Sequence, residues 1–82
     1  MQVQIDSASD IGQYIRAIRK AQGLRQDDLA AMAGTSHVVL GNVERGKDTV
    51  QIGRVFELLR QLGIQVHLDL PVDVPQASPE RP

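Results

Sequence analysis

The sequence has no cysteine and no tryptophan, and only one tyrosine and one phenylalanine in 82 residues. Lack of cysteine excludes disulfides and thiolate zinc sites. With so few aromatics, the core must be aliphatic. No apolar run approaches the roughly 18 residues needed to cross a bilayer, and the N-terminal stretch has neither the basic nor the apolar region of a signal peptide. A cytoplasmic, soluble protein is the expectation. Chemistry is scarce as well: no nucleophile sits beside a base, no glycine-rich loop is built to cradle phosphate, and His37 and His67 are far apart. No catalytic residue, metal site or cofactor is expected.

What is present suits one small core. Hydrophobic residues make up 41% of the chain, enough for a single domain that is marginal alone and gains from a second copy. Net charge is −1, but it is unevenly spread. From Tyr14 to Lys47 there are six basic residues (Arg16, Arg19, Lys20, Arg25, Arg45, Lys47) against three acidic ones (Asp27, Asp28, Glu44). The remainder carries three basic and seven acidic residues. An anion meets a face and not a total, so a basic middle third is compatible with phosphate binding; the plainer reading is a solvated helical surface.

Periodicity divides the chain. Met1, Val3 and Ile5 alternate with Gln2 and Gln4, the pattern of a short strand. Ser7 with Asp10 three residues on forms a capping box for a first helix, in which Ile11, Ile15 and Ile18 share a face and which Gly23 ends. A second helix is predicted over residues 26–33, with Leu29, Ala30 and Ala33 inward and Gly34 as its stop. Thr35 is the expected N-cap of a third helix reaching Arg45, with Val39, Leu40 and Val43 inward and Gly46 as terminator. Thr49 is expected to cap a fourth, with Ile52, Val55, Phe56, Leu59 and Leu62 in one stripe and Gly63 at its end. Ile64, Val66, Leu68 and Leu70 then alternate with Gln65, His67 and Asp69, the period of a half-buried strand. Such a strand needs a partner: residues 1–5 of its own chain, its counterpart in a second subunit, or both. Four prolines among the last twelve residues predict a disordered tail over 71–82.

The spacing between the second and third helices is the most specific feature. Ala30 lies where the third helix crosses, and a larger side chain there would push the pair apart. Gly34, four residues later, supplies the positive φ of a tight inter-helix turn. Leu40 and Val43 anchor the underside of the third helix and leave its opposite face open.

Taken with Arg19, Gln26 and the run Glu44-Arg45-Gly46-Lys47, residues 26–43 resemble the helix-turn-helix of the Xre/Cro repressor family, over about Ile11 to Gly63. The resemblance implies a mainly α fold: a four-helix, lambda-repressor-like domain over 9–63, preceded by an arm at 1–8 and followed by a β-strand at 64–70 that pairs across a dimer. It implies that Arg19 pairs with Glu44, contact of Arg19 with phosphate being the alternative, and that Ala30 and Gly34 are structural. It also places the third helix in the major groove of DNA, with Ser36, His37, Val38, Gly41 and Asn42 at base edges. His37 would donate or accept at a purine, Asn42 would pair with adenine or bind phosphate, and Val38 would meet a thymine methyl. A plain surface histidine is the alternative for His37. Val38 and Gly41 offer no polar readout where family members often carry Gln, Arg or Lys, so DNA shape would supply part of the specificity. Arg25, Gln26, Arg45 and Lys47 are the implied phosphate contacts. Arg25 stands where the family often has a Ser or Thr cap, and Asp28 compensates in part through the helix dipole.

The strand and tail resemble the antitoxin branch typified by HipB, in which a strand after the last helix (here Ile64, Val66, Leu68, Leu70) pairs across a two-fold axis. That resemblance implies a homodimer on a palindromic operator, autoregulation, and a HipA-like kinase toxin as partner. The alternatives are a stand-alone repressor of the same family and a protein-interaction module that has lost DNA binding.

Overall fold

Four helices form where periodicity and capping chemistry predict them in the computed structural model, which describes residues 1–75: α1 (Ala8–Ala21), α2 (Gln26–Met32), α3 (His37–Glu44) and α4 (Ile52–Leu62). Ser7 caps α1, its hydroxyl accepting from the Asp10 backbone N–H at 3.2 Å. The Asp10 carboxylate reaches back to the Asp6 N–H at 2.9 Å, one residue earlier than the expected box. Gly23, Gly34, Gly46 and Gly63 all adopt positive φ, as expected of helix terminators.

Two caps differ from expectation. Ser36, not Thr35, caps α3, its Oγ accepting from the Val39 N–H at 3.1 Å. The Thr35 N–H is spent on the Ala30 carbonyl at 2.9 Å, beside Gly34 N–H on Ala31 at 3.2 Å. Thr35 therefore closes α2, and the next hydroxyl opens α3. At α4 the expected Thr49 cap is replaced by Gln51, which makes no side-chain cap. Val50 packs against the core, and that burial sets the turn ahead of the helix.

The core is aliphatic, as the composition required. Ile15, Leu29, Leu40 and Leu58, one from each helix, are fully buried, with Ala30, Val43, Leu59 and Leu62 around them. Complete burial of a Leu or Ile side chain contributes about 1.5–3 kcal/mol. The α4 stripe is rotated from its expected setting: Leu58 takes the centre, while Ile52 and Phe56 stay 70% and 38% exposed. α3 packs against both α1 and α2, and α4 against the same two helices. α1 meets α3 at Gly12, where a Cβ would collide with the Val43 carbonyl oxygen. The Gln22 amide donates to the Leu62 carbonyl at 2.9 Å, tying the end of α1 to the end of α4.

No strand is present among the described residues. Of the alternatives for residues 64–70, pairing with residues 1–5 of the same chain is not formed. Ile64 is half-buried against the core, whereas Val66, Leu68 and Leu70 are 50%, 81% and 51% exposed. The two segments instead lie along an open groove of about 1700 Å³, whose floor includes Tyr14 and Ile18 of α1 and Phe56 and Leu59 of α4. Residues 71–75 carry neither helix nor strand, and the remainder of the expected tail, 76–82, lies outside the described residues.

Candidate nucleic-acid interface

α3 is held on its inner side and open on its outer side. Leu40 is fully buried and Val43 is 3% exposed, anchoring the helix as their spacing predicts. Val38, Gly41, Asn42 and Arg45 follow at i, i+3, i+4 and i+7, which puts them on one face opposite that anchor. His37 and Val38 project into solvent at its N-terminal end, and Asn42 is half-buried. The Ser36 hydroxyl serves as the N-cap acceptor and keeps its proton for donation.

The turn that delivers α3 depends on Gly34 and Ala30. Gly34 has φ +69°, which a side chain would strain, and Ala30 is 2% exposed where the helices cross. Arg54 of α4 braces the turn, its Nη1 donating to Thr35 Oγ1 at 3.1 Å. Sequence reasoning missed Arg54, since no periodicity links residues 35 and 54.

The end of α3 is fixed by a buried ion pair. Arg19 Nε and Nη2 donate to Glu44 Oε2 and Oε1 at 2.7 and 3.0 Å, the planar two-point geometry that guanidinium and carboxylate favour. Arg19 Nη1 also donates to the Leu24 carbonyl at 2.9 Å. Burial by itself would raise the Glu44 pKa. Hydrogen bonds from Arg19 and Gln26, with the charges of Arg19 and Arg16, outweigh it and hold the carboxyl below the ordinary glutamate value. The pairing of Arg19 with Glu44 is thus present, and the alternative of Arg19 on phosphate is not compatible with a guanidinium buried against that carboxylate.

Gln26 belongs to the same network: its Nε2 donates to Glu44 Oε1 at 3.0 Å. The resemblance implies a phosphate contact at Gln26, at the N-terminus of α2. The side chain itself is drawn inward, because Glu44 has acceptor capacity left after Arg19 and lies within its reach. Arg25 is exposed and pairs with Asp27 at 2.9 Å. It provides no side-chain cap for α2, and the Asp28 carboxylate accepts from its backbone N–H at 3.4 Å. Lys47 is exposed past the end of α3. Arg45 does not extend away from the helix end; its Nη2 donates to Asn42 Oδ1 at 2.7 Å. Among the described residues no cluster of His, Cys, Asp or Glu is arranged to hold a metal, and no helix is long and apolar enough to cross a membrane.

A buried scaffold that presents one helix face, with exposed basic side chains at its margin, defines a helix-turn-helix protein. Comparison with known proteins agrees: residues 15–68 match the helix-turn-helix family. The HTH-type transcriptional regulator y4mF of Sinorhizobium fredii is 41% identical over 71 residues, covering 87% of this chain and 93% of that protein. A second regulator from that organism, y4dJ, is 30% identical and covers 84% and 91%. The chain belongs to the helix-turn-helix family of transcriptional regulators.

Among solved structures, HipB in the HipA-HipB-O2-O3 complex superposes with a TM-score of 0.78 at 21% identity, over 87% of this chain and all of that one. That likeness is one of fold. The restriction-modification controller protein C.AhdI from Aeromonas hydrophila has a TM-score of 0.63 at 34% identity, over 71% of this chain and 84% of that one.

Proposed function

We propose that this chain is a sequence-specific, non-enzymatic transcriptional repressor of the bacterial cytoplasm that binds a palindromic double-stranded operator as a homodimer. The observation that carries the reading is the outer face of α3, left open while Arg19, Glu44 and Gln26 lock the helix from behind. α3 enters the major groove, with Ser36, His37, Val38, Gly41 and Asn42 toward the bases. Arg25, Lys47 and the first turn of α2 at Gln26 meet phosphate on either side. The second copy covers the groove between residues 1–5 and 64–70. Ile64, Val66, Leu68 and Leu70 pair with their counterparts there, which satisfies backbone groups that the single chain leaves without a ladder. Fluorescence anisotropy on the DNA upstream of its own gene tests the reading. Binding that is stronger than to scrambled DNA and weakens steeply with salt supports it. Equal binding to both sequences at every salt concentration counts against it and favours an interaction module.

The finer proposal is that the dimer is the antitoxin of a HipBA-like module, restraining a kinase toxin and repressing the operon of both. Its support is the similarity of fold to HipB over 87% of this chain. The second reading, a repressor with no toxin partner, is favoured by the higher identity to the controller protein C.AhdI. Affinity capture from native extract discriminates them: a co-purifying kinase marks the antitoxin, and capture of DNA alone marks the stand-alone regulator.

A further inference from the structure

We propose that Arg45 is the principal base reader of α3, directed at a guanine, and that Gly41 and Asn42 serve to hold it in place. The inference rests on the operator-binding reading and changes its chemistry. The sequence pattern sets Arg45 among the phosphate contacts because it follows the helix. The fold sets it elsewhere. Side chains of a helix lean toward its N-terminus, over the residue four positions earlier. For Arg45 that residue is Gly41, which has no side chain to obstruct it. A Cβ on Gly41 would lie 3.1 Å from Arg45 Nη1, 3.7 Å from Nη2 and 3.8 Å from Cζ. The guanidinium therefore occupies the place of the missing side chain, and Gly41 is buried although it sits on the outer face of the helix.

Asn42 completes the holder. Its Oδ1 accepts from Arg45 Nη2 at 2.7 Å, which takes one lone pair of the carbonyl and orients the amide toward Arg45. An amide held that way is not free to turn its donor and acceptor together onto an adenine edge. Arg45 keeps the rest of its five N–H donors and, among the described residues, pairs with no carboxylate. Two parallel donors match guanine O6 and N7 in the major groove. The strand backbones run past the two ends of a recognition helix, whereas a group folded over its middle turn faces the groove floor. A reading face otherwise poor in polar groups, with Val38 and Gly41 at its centre, thus has an arginine there.

The test compares wild type with Arg45→Ala, Arg45→Lys and Gly41→Ala by anisotropy. The probes are the fragment upstream of its own gene, the same fragment with 7-deazaguanine for guanine, and scrambled DNA of equal length. Arg45→Ala should weaken binding to the upstream fragment by about 10- to 100-fold, the range of one good bidentate base contact, with scrambled-DNA affinity and salt slope nearly unchanged. Loss of guanine N7 should penalise wild type and leave Arg45→Ala indifferent. Arg45→Lys should fail to restore selectivity. Gly41→Ala, which helix propensity favours, should keep its helical circular dichroism and lose selectivity as Arg45→Ala does. An equal loss on both sequences, a salt slope lower by about one and rescue by lysine would make Arg45 a phosphate contact and overturn the inference. Normal selectivity in Gly41→Ala would overturn the role of the glycine. A wild type that never prefers the upstream fragment would instead sink the operator-binding reading, and the inference with it.

Discussion

Gly12 shows at the scale of one residue how packing outweighs propensity. Replacing a helical glycine by alanine ordinarily gains about 1 kcal/mol. Here the new methyl group would press on the Val43 carbonyl oxygen, a backbone atom that cannot swing aside. Gly12→Ala should therefore destabilise the fold, by about 1–3 kcal/mol as overpacked sites do, and lower the urea midpoint without changing the slope. Arg19→Met should cost more, about 3–5 kcal/mol, because it strands the Glu44 carboxylate in a buried site with Gln26 as its remaining hydrogen-bond partner. The same carboxylate makes the fold acid-sensitive. Its pKa in the fold lies below the ordinary value of 4.5, so the unfolded chain binds the proton first. The stabilisation is complete above that value and is lost as pH falls through the folded one. In urea titrations from pH 7 to pH 3, Glu44→Gln should show a shallower acid decline than wild type. Arg19 and Glu44 were legible through family resemblance. Gly12 was not noticed, yet it shares the inner face of α1 with Ile15 and Arg19, and that spacing was a readable signal.

At the scale of elements, the weak point is the start of α2. This helix has seven residues and Arg25 at its N-cap, without a side-chain cap. A Thr or Ser there would accept an orphan N–H that Arg25 cannot. The Arg25–Asp27 pair that would be lost is solvent-exposed, with 77% and 59% of the side chains accessible, and exposed pairs contribute little. Arg25→Thr should raise Tm by about 4 °C, measured by circular dichroism at 222 nm, while weakening DNA binding if Arg25 meets phosphate. Helix existence and order were legible from the repeat of apolar residues and from the glycines. The caps of α3 and α4 were not: Thr35 and Ser36 are equivalent candidates until the preceding turn has used its own N–H groups, and the N-cap of α4 falls on Gln51, which makes no side-chain cap, after Val50 has packed against the core.

For the whole molecule, the proposed dimer rests on the exposed apolar side chains along 64–70 and the groove beside them. Val66→Asp with Leu68→Asp should leave the four helices intact by circular dichroism and shift the sedimentation coefficient to that of a monomer. Operator affinity should then collapse, because two recognition helices no longer act about one DNA turn, or ~34 Å, apart. Unchanged dimerisation in this double variant would remove the strand-pairing proposal. The uneven charge acts at this scale too. On the operator-binding proposal, a chain of net charge −1 would meet DNA through its basic middle segment.

By itself the sequence determined the helices, their terminators, an aliphatic core and the register of the helix-turn-helix, because each depends on neighbours a few residues away. Ala30, Gly34, Leu40 and Val43 act through such local spacing. Only the tertiary structure decided what crosses between helices: Gly12 against Val43, Arg54 on Thr35, the Gln26 amide on Glu44, and Leu58 in place of Phe56 at the core. Those outcomes depend on how far each helix is rotated when four of them pack around one centre. Arg45 stands between the two cases. Its spacing from Gly41 and Asn42 could be read in the sequence, but the fold of its guanidinium over the bare Gly41 and onto Asn42 is a fact of the packed helix.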